Sequence, residues 1–186
     1  MSRVERLLKA YERFVSLPWD AGIAGPQKVW FAVYDPVDER RLRVRVDEFE
    51  IATKQAGHGW LLKDLTDEFP LWMAAQDYRE SYFEDPEDLE LALPRFREAV
   101  VAGLRDVLSG AQADENAVVA VTGIASLFGF AKVSDVVRGV ADGIRGRLLV
   151  FFPGSHEGNN YRLLDARDGW NYLAVPISAG DGMESR

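Results

Sequence analysis

Two hydrophobic patterns alternate along this chain, one typical of helices and one typical of buried strands. From Val4 to Val15 the apolar residues recur every three or four positions, which predicts an amphipathic helix over residues 2–16. In Lys28–Pro36 the apolar residues instead follow one another, and β-branched and aromatic side chains dominate. That composition is typical of a strand buried on both faces, so it predicts the first strand of a sheet.

The same alternation predicts the remaining elements. In chain order they are a helix over 38–57, a strand over 59–66, a short helix over 67–76, an acidic linker, a long helix over 89–108, strands ending near Thr122 and Phe152 with a helix over 133–144 between them, and one or two short strands in 161–177. Buried strands that alternate with amphipathic helices indicate a mainly parallel sheet covered on both faces. We therefore expect a single three-layer α/β domain over residues 1–177, P-loop-like or Rossmann-like in layout, followed by a frayed tail over 178–186.

Composition and charge exclude several classes of protein. The 186 residues contain no cysteine, which excludes disulfide frameworks and thiolate metal sites. The chain begins with alternating apolar and charged residues and has no apolar stretch long enough to span a bilayer, so we expect a cytoplasmic protein without membrane contact. The net charge of −8 falls entirely on the first 116 residues, where 23 acidic residues outnumber 15 basic ones. Such a charge repels phosphates, so we expect no direct binding of nucleic acid.

The nucleotide-binding motifs of α/β proteins are absent from the sequence. No G-x-x-x-x-G-K-[ST] occurs, and no G-x-G-x-x-G follows the first strand, which excludes a conventional P-loop ATPase and a Rossmann dehydrogenase. The stretch around Ser126, GIASLFG, also lacks the G-x-S-x-G spacing of a serine hydrolase. We therefore expect no cofactor and no catalytic residue. A degenerate nucleotide-binding domain, which keeps the sheet without the phosphate loop, stays an alternative.

Polar residues follow the predicted strands at the edge of the sheet where ligands of α/β proteins bind. They are Asp35 and Asp38 after the first strand, Asp64 and Thr66 after the second, Thr122, Gly123 and Ser126 after the third, and Pro153, Gly154 and His156 after the fourth. Strand ends of α/β folds commonly carry such residues as helix caps, and we expect Asp38, Asp67 and Ser126 to cap the helices that follow. The alternative is a divalent metal with Asp35, Asp38 and His156 as its candidate ligands, which would make the protein a nuclease or phosphoesterase.

The segment Glu80–Glu90 contains six carboxylates, no basic residue and two aromatic side chains, Tyr82 and Phe83. One interpretation is a solvated linker whose acids lie near a helix N-terminus, where the helix dipole favours negative charge. The other is a docking surface for a basic protein partner, because aromatic residues anchor interfaces and charge steers the encounter.

The glycine-containing segment Pro153–Tyr172 is a further candidate for binding. It carries Tyr161, Arg162 and Trp170, which are residue types enriched in binding hot spots. These side chains either face a partner or ligand beside the carboxyl edge of the sheet, or the two rings are buried and close the core.

Three stretches resemble the BrxB family of bacterial phage-exclusion (BREX) systems. They are VWFAVYDP, VVAVTGIASLFGF, and LLVFFPG followed by NNYRLLDARDGWNYLAVPI, in the order and approximate spacing of the family over residues 28–177. The matched motif residues are Thr122, Gly123, Ser126 and Phe128 after the third strand, and Phe152, Pro153 and Gly154 in the fourth. The chain departs from many relatives at Gly129, where they carry proline, and at Lys132, where they often carry arginine.

The resemblance implies a role in a defence complex. BrxB-like proteins have no established catalytic activity and act beside a methyltransferase, a large ATPase and a PglZ protein of the phosphatase family. From this resemblance we expect a non-enzymatic adaptor whose protein partner is the PglZ-like component or, second, the large ATPase. The candidate contact residues are the matched motif residues together with Tyr82, Phe83, Tyr161, Arg162 and Trp170.

Overall fold

The computed structural model describes residues 1–167 and 169–180, and it confirms the α/β class. In these residues, α-helices lie at Arg3–Val15 (α1), Glu39–Arg43 (α2), Val46–Gln55 (α3), Glu68–Ala74 (α4), Arg79–Glu84 (α5), Pro86–Ser109 (α6) and Val133–Val140 (α7). Strands lie at Val29–Tyr34 (β1), Gly59–Asp64 (β2), Ala117–Thr122 (β3), Arg147–Glu157 (β4), Asn160–Leu163 (β5), Trp170–Asn171 (β6) and Val175–Ile177 (β7).

The main sheet has the strand order β2-β3-β4-β1-β7, and each neighbouring pair is parallel. In the register of its centre, Phe31 of β1 lies opposite Val150 of β4 and Pro176 of β7. All residues of β1 and β3 are buried, because helices cover both faces of the sheet, and these strands are therefore continuous apolar runs. The carboxyl ends of β1, β2 and β3 lie along the same edge of the sheet.

Alternate strand residues enter two separate cores, one on each face of the sheet. On one face, Phe31 and Val150 pack with α4, α6 and α7. On the other face, Trp30 and Phe151 pack with α1, α2 and α3. Each large apolar side chain removed from water in this way contributes roughly 2 kcal/mol, so both helical layers are held to the sheet by burial. This is the three-layer arrangement that the alternating patterns predict.

The fourth strand is longer than its apolar pattern predicts. β4 passes the expected end at Phe152 and continues to Glu157, where the chain turns into β5. The two strands form an antiparallel hairpin, with Gly154 opposite Leu163 and His156 opposite Tyr161. Pairing with β5 supplies the backbone hydrogen bonds of this polar extension, so it does not depend on hydrophobic burial. The residues after Phe152 therefore belong to a hairpin and not to a strand-end loop.

Two predicted segments differ from the helices that form. The expected acidic linker is helical: α5 occupies its first half, and Asp85 then caps α6, with Pro86 at the first helical position. The expected helix over 38–57 is divided into α2 and α3, because Arg45 leaves the helical backbone conformation at a φ of −117°. The acidic residues of Glu80–Glu90 therefore lie on two consecutive helices that pack on each other.

The end of the chain packs against the sheet. β7 pairs with β1, and Ala179 contacts the apolar core beneath α1 and α3. The frayed tail was expected to begin at 178, whereas Ala179 is packed; residues 181–186 lie outside the described residues. Among the helices of the described chain, none combines the length and the apolar character needed to cross a membrane.

Candidate functional site

Asp35 and Asp38, which follow β1, are both bound to Arg3 of α1. The distances from the guanidinium to the two carboxylates are 3.1 and 2.8 Å. Asp38 is buried and also accepts a hydrogen bond from Arg41 at 3.0 Å. Burial by itself raises the pKa of the Asp38 carboxyl, but the hydrogen bonds from the two arginines outweigh it and lower that pKa below its ordinary value. These carboxylates hold α1 and α2 against the end of β1.

The expected helix caps at Asp38, Asp67 and Ser126 are wrong. Neither aspartate accepts a hydrogen bond from the first turn of the helix that follows it. Ser126 lies inside a 3₁₀ turn over Ile124–Leu127 and not at a helix start. The capping carboxylate after β1 is that of Asp35, which accepts a hydrogen bond from the amide two residues later at 3.1 Å.

A polar network forms where β2 and β3 end. Thr66 donates to the Asp64 carboxylate from its hydroxyl at 2.6 Å and from its amide at 3.0 Å. Arg43 reaches Asp64 at 3.4 Å and the Thr66 hydroxyl at 2.8 Å, and Thr122 lies opposite Asp64 in the register of the sheet. Partial burial raises the pKa of Asp64, but the hydrogen bonds from Thr66 and the charge of Arg43 outweigh it and lower the pKa. The network thus joins α2 to the end of β2.

The same network continues onto β1 through Glu39. Arg43 binds the Glu39 carboxylate at 2.6 Å, and Glu39 accepts a hydrogen bond from the hydroxyl of Tyr34, the last residue of β1. Charge-assisted hydrogen bonds of this kind are stronger than neutral ones, and they link the ends of β1 and β2. The convergence of polar strand ends that the sequence suggests is therefore only partial: Asp64 and Thr66 join this network, in which the charged groups already pair with one another, whereas Asp35, Asp38 and His156 lie outside it.

Gly123 covers the network from the end of β3. Its backbone has a φ of +78°, and a β-carbon built there would lie 2.6 Å from both Asp64 Oδ1 and the Thr66 amide nitrogen. Only glycine fits such a close approach. The Thr122–Gly123 pair of the family-like motif therefore has a role in packing at this edge.

His156 lies in the β4–β5 hairpin. Its Nδ1 is 3.3 Å from the carbonyl oxygen of Gly158, and its ring centroid is 6.0 Å from that of Tyr161. Within residues 1–167 and 169–180, no three histidine, aspartate or glutamate side chains come together as metal ligands. The alternative of a metal site at Asp35, Asp38 and His156 is therefore wrong, because the polar extension of β4 places His156 in a hairpin while Arg3 binds the two aspartates.

Two candidate contact residues, Phe152 and Tyr161, are fully buried. The Tyr161 ring packs 4.5 Å from the ring of Phe31, and its hydroxyl donates to the carbonyl oxygen of Ala174 at 3.0 Å. The expectation that these two side chains contact a partner is wrong, because their rings close the core behind the hairpin. Arg162 points to the opposite side of β5 and is exposed, so it stays a candidate.

Pro153 and Gly154 form the start of the hairpin. Pro153 is buried opposite the end of β1. A β-carbon at Gly154 would lie 2.1 Å from the carbonyl oxygen of Arg162, so the position requires glycine. Both residues determine the path of the backbone at the start of the hairpin. Because Pro153 is buried and glycine has no side chain, neither residue offers a side chain to a partner.

A cleft of about 560 Å³ opens between the loop after β3 and the hairpin. Phe128–Ser134 forms one wall, and the other wall contains Leu163, Ala166, Gly169 and Trp170. Phe128 keeps 46% of its surface exposed, and the loop turns at Gly129 with a φ of +83°. The volume lies in the range of small-molecule sites. Phe128, a residue of the BrxB-like motif, and Trp170, a predicted contact residue, thus line the same cleft.

Rings behind the cleft hold its aromatic walls in place. Phe130 stacks on Phe69 with the ring centroids 3.8 Å apart. Trp170 is perpendicular to Phe31 at 5.7 Å and lies 5.6 Å from Tyr161. Side chains that are already fixed lose little conformational freedom when a ligand binds, so these walls are preorganised.

A second surface is formed by α5, the start of α6 and the residue that precedes α5, and we call it the acidic surface. Its apolar members, Tyr78, Phe83 and Leu91, are 74%, 71% and 83% exposed. Its charged members are the cation Arg79 and six carboxylates, those of Glu80, Glu84, Asp85, Glu87, Asp88 and Glu90. None of these six carboxylates forms an ion pair with another residue of the described chain. Tyr82 is partly buried, and its hydroxyl accepts a weak hydrogen bond from Arg95 at 3.4 Å.

The sequence pattern did not predict that Lys132 and Ser134 line a cleft. One local feature could have indicated an open helix start: a lysine occupies the position before α7 that serine, threonine or aspartate usually takes, and no side chain caps this helix. The opposite wall comes from a hairpin about thirty residues later, and local pattern does not place it there.

No protein-family model matches this chain, and neither a curated protein nor a solved structure matches it. The similarity to BrxB proteins therefore stays a prediction that depends on the motif residues alone. What the chain binds has to be inferred from its surfaces.

Proposed function

We propose that this chain is a non-enzymatic binding component of a bacterial phage-defence (BREX) complex in the cytoplasm, where it holds a PglZ-like partner. The acidic surface is the observation that carries the proposal. On it, three exposed apolar side chains lie among six carboxylates that have no ion pair within the described chain. Exposed apolar residues surrounded by charge of one sign are typical of protein-docking surfaces.

The contrast with other helices supports this assignment. On α2 and α3, most acidic residues are paired, among them Glu39 with Arg43 and Glu50 with Lys54, each one helical turn apart. Glu68 of α4 likewise binds Lys63. Elsewhere on the helices paired carboxylates alternate with isolated unpaired ones, such as Glu12 and Asp47, whereas all six carboxylates of the acidic surface are left for an external cation.

The unpaired charge indicates what the partner presents. A complementary surface carries Lys and Arg side chains around apolar pockets that receive Phe83 and Leu91. Charges at the rim of such an interface mainly accelerate association and select the partner, while the buried apolar anchors supply most of the affinity. The BrxB-like segments supply the identity of the partner, a PglZ-like protein or, second, the large ATPase.

Co-purification tests the proposal. The tagged chain is expressed with its genomic neighbours and captured at about 150 mM salt. We expect the wild type to retain a PglZ-like protein and Phe83→Ala to retain much less. Because the Phe83 ring is exposed, its truncation changes the free energy of unfolding by less than about 0.5 kcal/mol.

Leu17→Ala is the matched control, because Leu17 is also an exposed apolar side chain but lies beyond α1. It is expected to retain the partner like the wild type. Capture of no PglZ-like or ATPase protein by the wild type would contradict the adaptor function. Equal capture by Phe83→Ala would contradict the assignment of the acidic surface.

A further inference from the structure

Lys132 is the one charged side chain among the described residues that line the cleft. It is exposed and forms no ion pair with any other described residue. The protein as a whole carries a net charge of −8, so an unpaired cation among described lining residues that are otherwise uncharged is a local exception. Such a group is complementary to an anion.

The start of α7 adds further donors beside Lys132. No side chain caps this helix. The amides of Asp135 and Val136 donate to the carbonyl oxygen of Lys132, which leaves the amides of Val133 and Ser134 without an acceptor within the helix. Ser134, in the same turn, lines the cleft and is only 6% exposed. Its hydroxyl has no hydrogen-bond partner among the described residues. The hydroxyl is therefore available to an acceptor in the cleft.

The remainder of the cleft is apolar and aromatic. Phe128 and Phe130 lie on the α7 side, and Trp170 and Leu163 lie on the hairpin side. Aromatic walls that are fixed from behind favour a flat ring, which contacts them with its faces and edges. The cleft is thus polar and cationic at one end and aromatic along its length.

We propose that this cleft binds a small molecule in which a phosphate or carboxylate group is attached to a flat aromatic body. Lys132, the Ser134 hydroxyl and the free amides of α7 hold the anion. Phe128, Phe130 and Trp170 contact the aromatic body. This site shares no residue with the acidic surface, so a test of the cleft does not depend on whether the adaptor function is correct.

Calorimetry with two probes tests the proposal and separates the two anions. The probes are 1-naphthyl phosphate and 1-naphthoate. Two compounds serve as controls: 1-naphthol has the aromatic body without the anion, and inorganic phosphate has the anion without the aromatic body. We expect saturable binding of at least one probe, with a dissociation constant about tenfold or more below those of naphthol and inorganic phosphate. Absence of saturable binding by both probes would overturn the proposal.

Two variants assign the anion to its residues. Lys132→Gln and Ser134→Ala are each expected to weaken binding of the probe by about tenfold, because hydrogen bonds to charged groups are stronger than neutral ones. Ser134→Ala removes a hydroxyl without a partner, so the thermal midpoint of the ligand-free protein should not fall. Lys9→Gln, which removes an exposed and unpaired lysine of α1, should bind like the wild type.

Two results would reject the assignment of residues. If Lys132→Gln binds the probe as tightly as the wild type, the anion does not lie at the start of α7. If Lys9→Gln weakens binding as much as Lys132→Gln does, the attraction is general to the protein charge and the cleft is not a site.

Discussion

Tyr161 is held by rings on several sides and by one hydrogen bond. Phe31, Phe152 and Trp170 surround its ring at centroid distances of 4.5, 5.9 and 5.6 Å, and its hydroxyl donates to the carbonyl oxygen of Ala174. Burial without a charged partner raises the pKa of the phenol, which therefore stays protonated and a donor. Tyr161 thus fastens β5 to the segment before β7.

We predict that Tyr161→Ala destabilises the protein by about 3–5 kcal/mol, because it leaves a cavity in the core. Tyr161→Phe keeps the ring and should cost about 1 kcal/mol, the net contribution of one hydrogen bond. Arg162→Ala, at the exposed neighbouring position, should change stability by less than about 0.5 kcal/mol. Urea unfolding of the three variants measures these differences. A cost below about 1 kcal/mol for Tyr161→Ala would show that the ring is not structural.

Two glycines in the connection between β3 and α7 have similar backbone angles but different surroundings. Gly123 has a φ of +78° and no room for a β-carbon, whereas Gly129 has a φ of +83° and nothing within 4 Å of that position. The positive φ alone costs a substituted residue about 1–2 kcal/mol. Only at Gly123 does a steric collision with Asp64 and Thr66 add to it.

We therefore predict that Gly129→Ala destabilises the protein by about 1 kcal/mol and Gly123→Ala by about 3 kcal/mol or more. Chemical denaturation of both variants gives the comparison. The Gly123 substitution should also disturb the Arg43–Asp64 pair, since the new methyl group displaces the Asp64 carboxylate. Equal costs at the two positions would mean that the polar network is loose enough to move.

Elements whose own residues carry the packing signal were predictable from sequence. β1 and β3 are buried on both faces, so a continuous apolar run was sufficient to identify them. The extension of β4 beyond Phe152 and the short strand β5 depend on pairing with each other, and their polar residues give no such signal. α5 was missed because it is short and none of its residues is buried, so it carries no apolar helical pattern.

The candidate sites were predictable to different degrees for the same reason. The meeting of Asp64, Thr66 and Thr122 follows from parallel strands that end at one edge, although sequence did not show that Arg43 pairs with them. The cleft depends on the hairpin folding over the start of α7, which no local pattern encodes. Exposure of Phe83 was anticipated because its neighbours are carboxylates, and here the structure agrees.

At the scale of the whole molecule, the two candidate surfaces differ in charge and belong to the same helical layer. The acidic surface lies on α5 and α6, and the cleft lies at the start of α7, which packs against α6. The acidic surface repels anions and is complementary to a basic protein, whereas the cation of Lys132 is complementary to a small anion in the cleft. The other layer, α1 to α3, pairs most of its charges internally.

We propose above all that the acidic surface steers a basic, PglZ-like partner to this chain. The most direct test is the association rate constant of the purified chain and that partner, measured for two triple variants with the same change in net charge. Glu84→Gln, Glu87→Gln and Glu90→Gln alter the acidic surface, whereas Glu12→Gln, Glu115→Gln and Glu157→Gln alter exposed, unpaired glutamates elsewhere.

We predict that the first triple variant lowers the association rate constant by roughly tenfold at about 0.1 M salt, and that the difference nearly disappears at about 1 M salt, where charges are screened over a few ångströms. The second triple variant should stay close to the wild type, because its charges lie outside the interface. Equal rates for both triple variants, or a loss in the first that salt does not remove, would contradict the account.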